Sequence, residues 1–409
     1  MESIKRFSGA VWQAVKGYSP AVRLYFLYEF LSGMHFLGAV LMVFFTDWGG
    51  VNETVALSLQ SWFLLAIFLL EVPTGVVADC WGRKYSVALG SFITAIGAIV
   101  YSTYPSIYLF VIGETLMATG VALTSGANKA LLFDTLIQEG REDDCTAAWS
   151  IGRSIHLLAI SLGTSIGSLM IASNWGLNMP MRYTAIPVIL AGIVVAMIPE
   201  PKIIKQKKEG VRNYWNLAKE GFAVIHDHPL LRRWTINSIL VAVGGYFVLW
   251  LYQPLATSIQ VSTEYFGFLA TFLVIAEVAA LNAYSVIRKT KWGSHFFSIG
   301  AILIGMSFLS AAVYPSVYTL GILLAFGGGL GLTRMELVGS EMNRYIESHN
   351  RATINSVISM YSRVFQMILN PVVGFLLTKS VVYALLLVSL FPLLTIFFPL
   401  NGKINEREV

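Results

Sequence analysis

Apolar residues run along this chain in long blocks, broken at intervals by short polar, glycine or proline stretches. A helix crossing the hydrocarbon core of a bilayer needs about 20 mostly apolar residues. Twelve blocks meet that length: residues 22–44, 55–76, 85–103, 106–128, 146–170, 182–199, 231–253, 264–286, 294–313, 316–338, 352–377 and 381–400. The pattern predicts an all-α membrane protein of twelve transmembrane helices. Residues 200–230, PEPKIIKQKKEGVRNYWNLAKEGFAVIHDHP, split the blocks into six and six. This stretch is charged and its middle has helical periodicity, so it reads as a linker with an amphipathic helix at the membrane surface. The organisation is then an amphipathic segment 1–21, a six-helix bundle 22–199, the linker 200–230, a second bundle 231–400 and a tail 401–409. Six plus six around a linker suggests two pseudo-symmetric halves, a common transporter plan.

Composition agrees. The chain is 56% hydrophobic and 12% charged, with mean hydropathy +0.67, against about 25% charged in soluble domains. The distribution of Lys and Arg sets the orientation. Arg83, Lys84, Arg141, Arg288, Lys289, Lys291, Arg344, Arg351 and the linker lysines fall in loops on one side; the other side holds only Arg182 and Lys379. Both termini are therefore expected in the cytoplasm, in a multi-pass protein of the cell membrane. The net charge of +5 needs no nucleic acid to explain it. Cys80 and Cys145 fall in expected cytoplasmic turns, so neither a disulfide framework nor metal-ligand spacing is read from them.

One stretch stands out. GVVADCWGRK, residues 75–84, reads as a tight charged turn between blocks two and three. Gly75 would let another helix approach closely, and Gly82 would permit a sharp reversal. The pattern Gly75-x3-Asp79-x2-Gly82-Arg83-Lys84 resembles the signature of the major facilitator superfamily, and the 6+6 layout agrees over nearly the whole chain. The resemblance implies that Asp79 accepts hydrogen bonds at the start of span eleven, here RATINS with Thr353 and Ser356. It also implies that Arg83 pairs with an acid ending span four, which Asp134 matches. Together these would form a latch on the cytoplasmic side, to which Glu71 is also assigned. EVPTG (71–75) and SGANKALLFDTL (125–136) look like segments common in bacterial members. Two patterns depart from it: span four offers Glu114 where proton-coupled members often carry arginine, and span five, SLGTSIGSLM, lacks the Gly-Pro of many drug antiporters.

Ionisable groups inside membrane spans are functional candidates by default. Glu29, His35, Glu71, Glu114, Arg153, His156, Glu277 and Arg363 qualify. Ser356, Ser359, Arg363, Gln366 and Asn370 fall on one helical face, and Tyr246, Trp250 and Gln253 cluster on span seven, so both should line a cavity or pack on a polar face. The functional reading is a cavity with Arg363 as cation and Glu114 or Glu277 as an acid carrying a proton, with Glu29 among the cavity and coupling residues. The structural reading pairs Arg363 with Glu277 and Arg153 with Glu29 or Asp134. His35 and His156 read as satisfied buried histidines. Arg334, Glu336 and Glu341 read as solvated or gate-forming, and Gly327, Gly328, Gly329 and Gly331 as close-packing positions in span ten. GTSIG, residues 163–167, matches a nucleophile elbow as text but sits in an apolar span.

The chain therefore reads as a secondary transporter and not an enzyme, with no cofactor, acting as a monomer on a small-molecule substrate in a lipid bilayer. Proton-coupled export of a small amphipathic compound is the expected activity. The alternatives are transport of an organic anion clamped by Arg363, with Arg153 as a second cation, and a non-transporting receptor or scaffold.

Overall fold

In a computed structural model of the protein, residues 15–201, 222–290, 292–342, 351–398 and 400 are described. The middle of the linker, where an amphipathic helix was expected, the first residues of the N-terminal segment and the C-terminal tail lie outside them. The helices are α1 (Pro20–Gly33), α2 (Glu53–Trp81), α3 (Arg83–Tyr101), α4 (Ile107–Gln138), α5 (Cys145–Ala172), α6 (Met179–Met197), α7 (Pro229–Ser258), α8 (Phe266–Ile287), α9 (Phe296–Val313), α10 (Val317–Met342), α11 (Arg351–Lys379) and α12 (Val381–Leu394). Among the described residues, eleven are long and apolar enough to cross a membrane once α1 is counted with its continuation to Trp48; the twelfth is a shorter apolar helix, Val381–Phe397. The expected twelve spans are thus all helical.

Two helices are irregular. The chain leaves α1 at Gly33, crosses Met34–Leu37 without helix, and continues as a short 3-10 turn (Gly38–Val40), one helical turn and a π-helix at Phe44–Trp48. Small residues on α5 make room for the unwound part. A Cβ on Gly167 would lie 1.7 Å from the Phe36 carbonyl oxygen, and one on Gly163 2.8 Å from the His35 nitrogen. The freed Phe36 amide donates to Thr184 Oγ1 on α6 at 3.0 Å. The glycines of α10 pack closely, as their spacing suggests: a Cβ on Gly329 would sit 2.7 Å from the Ala276 oxygen of α8, and Gly245 of α7 lies directly against Gly331. They also belong to a π-helical stretch, Leu323–Leu330, which periodicity alone does not reveal.

The described residues fall into two compact units, Met1–Gly38 with Leu65–Lys208, and Ala39–Leu64 with Glu209–Val409. A cut at the linker alone would have kept residues 39–64 with the first six helices. They go with the second unit because polar and backbone contacts tie them to it. Gln253 Oε1 on α7 accepts from the Met42 amide at 2.9 Å, and the Tyr252 hydroxyl donates to the Ala39 carbonyl. Ser61 Oγ donates to the Met367 carbonyl of α11 at 2.7 Å, and Gly374 lets α11 lie against the backbone of Glu53 and Thr54.

The core of the first unit is aromatic and small-residue packing: Tyr25, Phe26 and Tyr28 of α1 against Leu131 and Leu132 of α4, Ala148 of α5, and Ala191 and Val195 of α6. In lipid the drive is close van der Waals contact more than water release, and α3 and α4 show it, with Gly90 and Gly120 facing each other's backbones. The second unit centres on Trp234, Tyr284, Phe297, Val338, Met342, Ile354 and Val357.

Candidate functional site

The 75–84 stretch is helical to Trp81, and Gly82 is the single residue between α2 and α3. The expected turn is thus compressed into one glycine, at φ +115°, a conformation that side chains resist. Gly75 does not serve close approach: a Cβ there meets nothing within 4 Å, because its face of α2 is open. Arg83 Nη1 pairs with Asp79 at 3.0 Å, one helical turn away across the break, and Arg83 Nε lies 3.7 Å from Asp134 on α4. The arginine therefore joins α2, α3 and α4; its contact with Asp134 is the one the resemblance implied. Lys84 reaches the Ala196 carbonyl and lies over the Tyr85 ring. Glu71 is half-buried two turns earlier on α2. The side chain of Thr353 lies outside the described residues, and Ser356 belongs to the second unit.

Sequence reasoning missed the group that completes this cluster. Glu200, assigned to the linker, caps α3: its two carboxylate oxygens accept from the Arg83 and Lys84 amides at 2.6 and 3.0 Å. A helix N-terminus has free amides and a partial positive charge, so a carboxylate there is doubly favoured. Gly82 is needed for this as well as for its φ, since a Cβ would come within 2.5 Å of Glu200 Oε1. The signal was the acid between two prolines directly after span six.

A second cluster lies in the interior of the same unit. Glu29 of α1 is 6% exposed. Its carboxylate accepts from the Tyr25 hydroxyl at 2.7 Å and from Asn128 Nδ2 of α4 at 2.8 Å, and lies 3.3 Å from His156 Nδ1 of α5. His156 also lies 3.1 Å from the Glu29 carbonyl. Gly33 and Gly152 permit this closeness, for a Cβ on either would meet α5 or α1 within about van der Waals distance. The expected partner of Glu29 was Arg153; helix phase gives the contact to His156 instead, three residues on.

Arg153 stands exposed on α5, and Lys129 exposed on α4. Neither has a carboxylate within 4.0 Å among the described residues. The Lys129 ammonium lies 5.3 Å from the ring centres of Phe133 and of Trp149, the latter one turn before Arg153. Ser125 is exposed on the same side of α4, and Asn128 and His156 are half-buried there. Lys129 had been seen only as part of a resembling segment, directly after the expected span four; the helix runs on to Gln138 and takes it in.

The other expected cavity residues are mostly interior. Glu114, 4% exposed, accepts from the Tyr101 hydroxyl of α3 at 2.7 Å. In the second unit Trp250, Gln253, Glu277 and Asn370 are 7%, 1%, 6% and 0% exposed, so they do not line an open face. The reason is visible for two of them: Gln253 holds the Met42 amide, and Asn370 Nδ2 donates to the Tyr246 hydroxyl at 3.0 Å. The polar stripe on α11 grades from exposed Ser356 through half-buried Ser359, Arg363 and Gln366 to buried Asn370. A cavity of about 220 Å³ lies beside its first part, lined by residues including Ser238, Glu336, Asn355 and Ser359. Arg334 is not solvated: it is 3% exposed, bonded to the Phe297 carbonyl and Asn237 Oδ1, and stacked on the Phe297 ring. The Tyr284 hydroxyl donates to Glu341.

Among the described residues, no group of three or more His, Cys, Asp or Glu could hold a metal ion. In comparisons with known proteins, an uncharacterized MFS-type transporter of Methanocaldococcus jannaschii is 22% identical over 293 residues, covering 69% of this chain and 70% of the relative. Among solved structures, a mutant of the nucleoside transporter NupG aligns with TM-score 0.74 at 14% identity, covering 92% of this chain and 97% of its own. The D-xylose-proton symporter aligns with TM-score 0.70 at 12% identity, covering 95% and 99%. These likenesses, at low identity, are of fold. The profile of the Major Facilitator Superfamily matches residues 24–370, and with the twelve helices and the Asp79–Arg83–Asp134 cluster in place, the chain belongs to the Major Facilitator Superfamily of multi-pass membrane transporters.

Proposed function

We propose that this transporter is driven by protons, with the Glu29–His156 pair as the coupling group. It acts as a monomer in the cytoplasmic membrane with both termini inside, and Asp79, Arg83 and Asp134 form part of its cytoplasmic latch, with Gly82 shaping the break between them. The observation that carries the reading is the carboxylate–imidazole contact between α1 and α5, where Glu29 is buried and the His156 side chain is 21% exposed. Such a pair can take a proton at the partly exposed imidazole, where the adjoining carboxylate faces it as an ion-pair partner. A proton on His156 turns its contact with Glu29 into an ion pair, so proton occupancy biases how α1 and α5 pack. Tyr25 and Tyr28 on α1, Lys129 on α4, and Arg153 on α5 are the other titratable or charged groups around the pair, and His35 adjoins His156. Against it α6 offers apolar Ala191 and Val195.

Glu114 is assigned a structural role, since Tyr101 already engages it within the α3–α4 interface. Export of a cationic amphiphile would need an acid open to receive the cation. Glu29 and Glu114 are both buried and both bonded by tyrosine, which disfavours that substrate.

Infrared difference spectra of the reconstituted protein between about pH 6 and about pH 9, spanning the usual histidine range, test the coupling group. An imidazole band that vanishes in His156→Gln is expected. An unchanged band in that variant would overturn the assignment.

A further inference from the structure

Lys129 and Arg153 share a face of the first unit, and among the described residues neither has a carboxylate within 4.0 Å. Lys129 lies nine residues from the Gln138 end of α4, and Arg153 eight from the Cys145 start of α5. At 1.5 Å per residue they stand roughly 12–13 Å along their helices. Cations at such depth do not face hydrocarbon without heavy cost. The exposed apolar stripe of α5, Leu158, Leu162, Ile166 and Leu169, begins about 140° around the helix from Arg153. The cations therefore look onto a polar face.

We propose that this face binds a small aromatic carboxylate, and that the anion moves together with a proton. The first half stands on the face alone; the second rests on Glu29–His156 as the coupling pair. Trp149 and Phe133 flank the Lys129 ammonium, so a carboxylate meeting the amine lays its ring along an indole already in place. Arg153, one turn beyond Trp149, offers a planar fork matched to two carboxylate oxygens. Ser125 supplies a hydroxyl on the same side of α4.

The sign of coupling follows from position. Asn128 and His156 border the face and hold Glu29 behind it. While His156 is neutral, the charge of Glu29 repels an incoming anion; a proton on His156 offsets that charge. Proton and anion thus favour each other's binding, and by linkage the effect is reciprocal. That is the signature of symport, whereas a cationic substrate at the same place would compete with the proton.

The test uses the full chain in phosphatidylcholine nanodiscs, which contain no anionic lipid. Binding of 2-naphthoate, inorganic phosphate and tetraphenylphosphonium is followed by calorimetry and by quenching of tryptophan fluorescence. Naphthoate should bind and the cation should not. Lys129→Gln and Arg153→Gln should each weaken naphthoate binding roughly tenfold, or about 1.4 kcal/mol, with Arg153→Lys retaining part. Wild-type affinity should rise between about pH 9 and about pH 6 as the pair gains its proton, and Glu29→Gln should bind tightly at both. Binding of the cation in place of naphthoate, no naphthoate binding to the wild type, or unchanged affinity in both glutamine variants would overturn the anion site. The first two need no variant, so misfolding cannot mask them. Naphthoate binding that is lost in the variants but independent of pH would leave the anion site standing and refute the coupling. A His156 infrared band without naphthoate binding would do the reverse.

Discussion

The Glu200 cap on α3 makes a prediction that can be worked through. Glu200→Ala removes two charge-assisted hydrogen bonds, at 2.6 and 3.0 Å, from the amides of Arg83 and Lys84. Bonds to charged groups contribute about 1.5–3 kcal/mol each when buried, but Glu200 is half-exposed, and water can replace part of what is lost. Capping substitutions in general cost about 0.5–2 kcal/mol, and loss of the favourable charge at the helix N-terminus adds about 0.3–1 kcal/mol. About 2 kcal/mol is the resulting expectation. If the α3 start opens locally, its amides should exchange with solvent deuterium roughly 30-fold faster, since about 1.4 kcal/mol is a factor of ten. Hydrogen exchange read by mass spectrometry on peptides covering residues 80–90 measures this directly. Glu200→Gln keeps an acceptor and loses the charge, so its effect should fall between wild type and alanine. Exchange at Arg83 and Lys84 within about threefold of wild type in Glu200→Ala would refute the capping argument, because it would mean that water satisfies those amides as well as the carboxylate does.

Gly167→Ala would put a Cβ 1.7 Å from the Phe36 oxygen, so it should lower the melting temperature, by about 1–3 kcal/mol of overpacking. Gly126→Ala, where a Cβ meets nothing within 4 Å, is the matched control and should be near neutral; equal melting temperatures for the two would sink the explanation of the α1 break. Arg334→Ala leaves the Phe297 carbonyl and Asn237 Oδ1 without their buried donor, and should destabilise by about 3 kcal/mol, read as a lower thermal midpoint in detergent. A variant as stable as wild type would show that Arg334 contributes nothing net.

The number and type of the helices were legible in the sequence, because a bilayer demands apolar length and internally satisfied backbone, and both can be read locally; their limits were not, since α4 runs on to Gln138 and the first span breaks after Gly33. The Arg83–Asp134 contact was expected only through the family resemblance, since the two residues lie on different helices, and the Asp79–Arg83 pair was not expected. Which acid meets which base was not legible. Glu29 finds His156 and leaves Arg153 open because of how α1 and α5 are rotated and how closely Gly33 and Gly152 let them approach. Helix phase and interhelical distance are set by packing across the whole unit, and no window of the sequence contains them. The same holds for Glu200, 116 positions from the amide of Lys84 that it caps, and for residues 39–64, which chain order puts with the first helices and polar contacts put with the second unit. The sequence by itself determined that this chain crosses a membrane and roughly where; the tertiary structure decided which of its charges are satisfied within the protein and which stand exposed, because charge compensation depends on distances that only the packed helices define.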